Sequence, residues 1–96
     1  MSDALKPRER RVVAAAIWHK GVLYTLPAPA RHHHIIDHIW ILSGDDFETV
    51  FTTGQGFVDQ EGEFMDRRIA RIVAEDAEQL KPGVPGRSYL MSEDVW

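Results

Sequence analysis

Gly56-Phe57-Val58-Asp59-Gln60-Glu61-Gly62-Glu63-Phe64-Met65-Asp66-Arg67-Arg68-Ile69-Ala70 reads as two short strands, a turn between them, and a capped helix. Phe57-Val58 and Phe64-Met65 flank the turn pair Glu61-Gly62. Asp66 is an N-cap residue type set directly before a helical repeat. Ile69, Ile72, Val73, Ala77 and Leu80 make an apolar stripe, flanked by Ala70 and Ala74, that predicts a helix from Arg67 to about Leu80. An aromatic strand beside an arginine-studded helix start suits a nucleotide. The ring takes the base, and the cationic helix end takes the phosphates.

Upstream, Arg11 to Trp18 is rich in Val, Ala and Ile and reads as a buried strand. His19-Lys20-Gly21 is a turn signal, and Val22 to Leu26 returns as the second strand of a hairpin. Pro27 and Pro29 end it, because proline cannot donate to a ladder. A second helix is expected from about His32 to Leu42, with Ile35, Ile36, Ile39 and Trp40 on one face and Gly44 as its C-terminal cap. Thr49 to Thr53 is a β-prone run. Lys81 to Gly86 is a loop rich in breakers, and Arg87 to Met91 reads as a last strand. The expected fold is α+β: a small antiparallel sheet packed against one long amphipathic helix plus a shorter helix. Residues 1–10 read as a flexible N-terminal arm and 11–96 as a single nucleotide-binding domain.

A chain of 96 residues buries a modest core, and oligomerisation would help it, so a homo-oligomer is expected. Without cysteine there is no disulfide framework and no thiolate metal site, which fits a reducing compartment. No apolar run approaches the ~20 residues needed to span a bilayer, so no membrane partner is expected. Residues 1–36 carry six Lys/Arg against two acids, and residues 37–96 carry five against thirteen. The net charge of −4 argues against polymeric nucleic acid as a partner, yet a local basic pocket can still grip one small anion.

The helix from Arg67 inverts the usual charge order. Arg67, Arg68 and Arg71 crowd its positive end while Glu75, Asp76 and Glu78 sit toward its negative end. The arrangement fits an anion site at the helix start, or an Arg71–Glu75 pair with Asp66 and Asp59 offsetting Arg67 and Arg68. Phe57 reads either as core or as a stacking platform. Arg31-His32-His33-His34 and His38 contain one i,i+4 histidine pair, His34 and His38. A zinc site would need further ligands that no HExxH or Cys pair supplies, so no metal is expected. Arg31 with His32 or His33 suits a phosphate better. Ser43, Ser88 and Ser92 lack an elbow motif, and the chain has neither a P-loop nor GxGxxG. The residues point to binding rather than to an enzyme, and to no cofactor.

Val12 to Ile17, Arg31-His32-His33, Gly56-Phe57-Val58-Asp59, Gly62 to Ala70 and Ser92-Glu93-Asp94-Val95-Trp96 together resemble a family of small phage proteins. That family includes the first type of Thoeris anti-defence protein, a sponge. The resemblance implies binding and sequestration, without cleavage, of a cyclic ADP-ribose isomer made by a TIR-domain defence enzyme, in the host bacterial cytoplasm. It also implies cyclic oligonucleotide ligands in some members, and dimers that build hexamers. Carried onto this chain, the ligand-binding set is Arg31, His32, Phe57, Asp66, Arg67, Arg68 and Arg87, with Phe57 as the stacking aromatic. Asp66 stands where asparagine is as readily expected, and the chain is shorter than the sponges it resembles. Two readings from other classes stand beside this one. The first is a phage interaction protein that inhibits a host protein through an acidic and apolar surface. The second is a histidine-dependent phosphodiesterase.

Overall fold

Val-, Ala- and Ile-rich sequence broken by a Lys-Gly turn forms the first hairpin of the computed structural model, which describes residues 9–45 and 54–96. Strand β1 (Ala14–His19) pairs antiparallel with β2 (Val22–Thr25). Lys20 and Gly21 between them both have positive φ, 50° and 78°, the backbone of a two-residue turn whose twist matches the flanking strands. β1 also pairs antiparallel with β3 (Gly54–Val58), and β3 with β4 (Phe64–Asp66), giving a four-stranded sheet in the order β2-β1-β3-β4.

The β3–β4 connection is held by one carboxylate. Asp59 Oδ1 accepts from the N–H groups of Glu61 (2.9 Å) and Glu63 (3.0 Å), while Oδ2 accepts from Arg10 Nε at 2.9 Å. Burial raises the pKa of Asp59, but these donors outweigh it and hold the carboxyl below its ordinary value. Gly62 closes the turn at φ 79°, a left-handed conformation that costs glycine nothing.

Helix α1 (His32–Ser43) and helix α2 (Arg67–Asp76) cover one face of the sheet. Ala15 and Ile17 of β1, Phe57 of β3 and Met65 of β4 point into this layer and meet Ile35, Ile36 and Ile39 of α1 and Ala70, Val73 and Ala74 of α2. The opposite face carries Ala14, Ala16 and Val58, with Leu23 and Phe64 packed on them. There the Phe64 ring lies over Gly56, where a Cβ would come within 2.6 Å of that ring and 2.2 Å of the Met65 carbonyl oxygen. The α+β expectation therefore holds, with an antiparallel sheet and, among the described residues, two α-helices.

Several elements differ from the sequence expectation. β1 begins at Ala14, not Arg11. The helix expected to be the long one ends at Asp76, well before Leu80, so at 10 residues it is shorter than the 12-residue α1. It stops because Glu78 turns left-handed (φ 56°) and the Gln79 side chain pairs with both the N–H and the C=O of Val12, at 2.8 Å each. Its buried side is the alanine side with Arg71, while Ile69 and Ile72 face outward. Small residues on that side permit close packing of the helix against the sheet. Trp40 likewise faces outward rather than joining Ile35, Ile36 and Ile39. The segment from Arg87 to Met91 forms no strand; its Leu90 N–H donates to the Arg67 carbonyl at 2.9 Å. Most of the expected N-terminal arm (residues 1–8) and the β-prone run Thr49–Thr53 lie outside the described residues.

Candidate functional site

Four separate stretches of chain meet at one concavity of about 210 Å³. The start of α1 supplies Arg31, His32, His33 and Ile36; β3 supplies Gln55; the first residue of α2 supplies Arg67; the C-terminal segment supplies Met91, Ser92 and Glu93. Each arrives for a local reason. Arg31 is the N-cap of α1, and its N–H donates to His34 Nδ1 at 2.8 Å, so His34 is engaged in capping. Gln55 shares the helix-covered side of β3 with Phe57, two residues on, and its amide oxygen accepts from Arg67 Nη2. A 3₁₀ turn at Ser92–Asp94 brings Ser92 and Glu93 in.

The two arginines are held from behind. Arg31 Nη2 donates to the Trp96 carbonyl at 2.6 Å. Arg67 Nη1 donates to the Leu90 carbonyl (2.9 Å) and approaches Met91 Sδ (3.1 Å), so its guanidinium fork is fixed while other N–H donors remain. Burial lowers the pKa of Arg67, opposed by the charges of Glu93, Tyr89 and Asp94. His32 lies beneath, its Nε2 2.7 Å from the Gly56 carbonyl, which makes Nε2 the donor. Burial lowers its pKa from 6.5 to about 4; the Gly56 hydrogen bond opposes this and the charge of Arg67 adds to it. At neutral pH His32 is uncharged.

Of the seven residues expected to bind a ligand, Arg31, His32 and Arg67 come together at this concavity. The other four do not. Phe57 is 0% exposed, with edge-to-face contacts to His32 (centroids 4.9 Å apart) and Trp96 (6.2 Å). It has no free face for a base, so the stacking expectation is corrected: Phe57 is the floor beneath His32. Asp66 faces the other side of the sheet, opposite Gly56 in the register, and caps α2 through Oδ1 to the N–H groups of Arg68 (3.0 Å) and Ile69 (2.9 Å). The helix start thus already holds an anion, its own aspartate, and the cationic groups near it act through side chains rather than through free backbone N–H. Arg68 is exposed and does not line the concavity. Arg87 is paired with the buried carboxylate of Asp94 and stands over the Tyr89 ring at 5.5 Å.

Sequence reading missed Gln55, Ile36, Met91, Ser92 and Glu93 as site residues. Gln55 had a signal: a polar residue in step with Phe57 on the buried side of a strand. Among the described residues no group of three His, Asp or Glu side chains converges to hold a metal, and no helix is long and apolar enough to cross a membrane.

The family described as the phage T4 y16D protein matches residues 11–96, and the chain belongs to that family of phage proteins. No curated protein and no solved structure matches it significantly.

Proposed function

We propose that this phage-family protein is a sponge: it holds a cyclic nucleotide immune signal, a cyclic ADP-ribose isomer or in some cases a cyclic oligonucleotide, and does not cleave it. The observation that carries this reading is the convergence of Arg31 and Arg67 on one concavity. Two guanidinium forks, each fixed from behind by a backbone carbonyl, suit the paired oxygens of a pyrophosphate. Glu93 on the rim, with Ser92 nearby, offers partners for hydroxyl groups. Binding without turnover is supported by His32. A buried imidazole whose pKa is about 4 and whose Nε2 proton is committed to Gly56 is a weak base and has no proton to deliver at neutral pH. The site of action in this reading is the host bacterial cytoplasm, where such signals are made.

The test is calorimetric titration of the protein with cyclic ADP-ribose isomers and with cyclic di- and trinucleotides, followed by denaturation and chromatography of the ligand. The expected result is tight binding of one cyclic ligand, recovered intact. Arg31→Gln is expected to weaken it at least tenfold, since an arginine–phosphate fork is lost. Wild-type affinity in Arg31→Gln would remove this reading, and recovery of a cleaved product would replace it with an enzymatic one.

The same proposal includes a homo-oligomer. Ile69 and Ile72 on the outward face of α2 are 46% and 60% exposed, flanked by exposed Arg68 on one side and exposed Asp76 on the other. Arg68 and Asp76 are each four residues from Ile72. A second α2 laid antiparallel across Ile72 therefore sets Arg68 against the partner's Asp76, so the inverted charge order becomes complementary between two copies. Ile72→Asp is expected to reduce the mass measured by light scattering during size-exclusion chromatography to that of a monomer. An unchanged mass would exclude this face.

A further inference from the structure

The concavity of about 210 Å³ is smaller than the roughly 300–1,000 Å³ of sites that enclose a whole small molecule, so it has room for phosphates but not for a base as well. Phe57 has no face to give the base. The register of α1 shows where another aromatic lies. His33 and Ile36 line the concavity, and Trp40 follows them by seven and four residues, on the same stripe of the helix. At ~1.5 Å of rise per residue, Trp40 sits about 6 Å along the axis from Ile36. Helical side chains lean toward the N-terminus and cover the preceding turn, so the indole, which does not itself line the concavity, belongs to the helix turn next to it. Trp40 is 58% exposed. The other tryptophans are otherwise engaged: Trp18 packs edge-on against Phe64 on the far side of the sheet, and Trp96 donates from Nε1 to the Ala30 carbonyl at 3.0 Å.

We propose that Trp40 is the stacking platform for the base of a nucleotide whose phosphates lie between Arg31 and Arg67. The inference rests on the sponge reading and adds a second half to its site. Asp37 sets the polarity of the bound molecule. It is exposed on the same stripe, between His33 and Trp40, and its carboxylate repels phosphate while accepting from ribose hydroxyls or an exocyclic amine. Phosphates therefore stay at the arginine end, and the ribose and base run along α1.

Two probes separate the halves. Cyclic ADP-ribose carries base and phosphates, whereas inorganic pyrophosphate carries phosphates alone; each is titrated calorimetrically into wild type, Trp40→Ala, Trp40→Phe and Arg31→Gln. Trp40→Ala is expected to weaken cyclic ADP-ribose by about 5- to 150-fold, the range of one base–aromatic stack, and to leave pyrophosphate unchanged. Trp40→Phe keeps a ring and is expected to restore most of the loss. Arg31→Gln weakens both probes. If Trp40→Ala binds cyclic ADP-ribose like wild type while Arg31→Gln weakens both, the platform is disproved and the arginine cleft stands. If wild type binds neither probe, the cleft reading falls and Trp40 with it. Because Trp40 lies outside the core, its variants are expected to melt with wild type, so a change in affinity is a change at the surface.

Discussion

Phe57→Ala is expected to lower folding stability by about 3–5 kcal/mol, the cost of emptying a large aromatic from a closed core. The ring is fully buried at the centre of the helix-covered layer, opposite Ala15 on β1 and Met65 on β4. Its edges carry His32 and Trp96, so its loss removes the support of α1 and of the C-terminal segment together. In a domain of this size each 1 kcal/mol corresponds to roughly 4–8 °C, so the melting temperature should fall by about 12 °C or more. Thermal unfolding followed by circular dichroism reads this directly. Any loss of ligand in the variant would follow from unfolding, not from a missing stack. A Phe57→Ala protein melting within a few degrees of wild type, and failing only to bind, would restore the stacking role that its burial denies.

Acidification should destabilise the fold by up to about 3 kcal/mol through one residue. His32 titrates near 6.5 when unfolded and at about 4 when folded, and one pKa unit is worth about 1.4 kcal/mol. Between these values the unfolded chain binds the proton and the folded chain does not. Stability is therefore full above pH 6.5 and declines as pH falls toward 4. Asp59 and Asp45, whose pKa values are lowered from 3.8, act in the same direction, but their part sets in only at the acid end of this window and grows below it. For Asp45 the leading cause is the hydrogen bond from His19, reinforced by Lys20. Urea unfolding at intervals from pH 7 to pH 4 measures the slope, and His32→Gln, which keeps a donor for the Gly56 carbonyl but does not titrate, should flatten it. Equal slopes in the two proteins would assign the acid sensitivity elsewhere.

Much of the local structure is legible along the chain. Gly21 and Gly62 mark turns because their positive φ is most accessible to glycine, and Gly44 ends α1 for the same reason, its N–H bonded to the Trp40 carbonyl at 2.8 Å. Asp66 is readable as an N-cap because a short side chain before an apolar repeat has one well-placed acceptor for the first N–H groups. Arg31 and Arg67 stand out as cations at two helix starts. These signals act over a few residues, and a few residues of sequence hold them.

What a helix turns toward the sheet is a different matter. Apolar spacing marks Ile69, Ile72 and Trp40 as core residues as strongly as it marks Val73 and Ile39, yet the first three face outward. The choice depends on which side of each helix the sheet beneath it accepts, and apolar spacing within the helix does not carry that. Nor does spacing show that Glu78 turns left-handed to end α2, since the contact that favours it comes from Val12, 67 residues from its partner Gln79. The candidate site is assembled in the same way. By itself the sequence determined the two hairpins with their turns, the Asp66 and Gly44 caps, and which cations were available. Only the tertiary structure decided that Phe57 is floor rather than platform, that Arg87 is committed to Asp94, and that Gln55, Ser92 and Glu93 join Arg31 and Arg67. The physical reason is reach: backbone conformation follows from neighbours in sequence, whereas burial and charge pairing follow from neighbours in space.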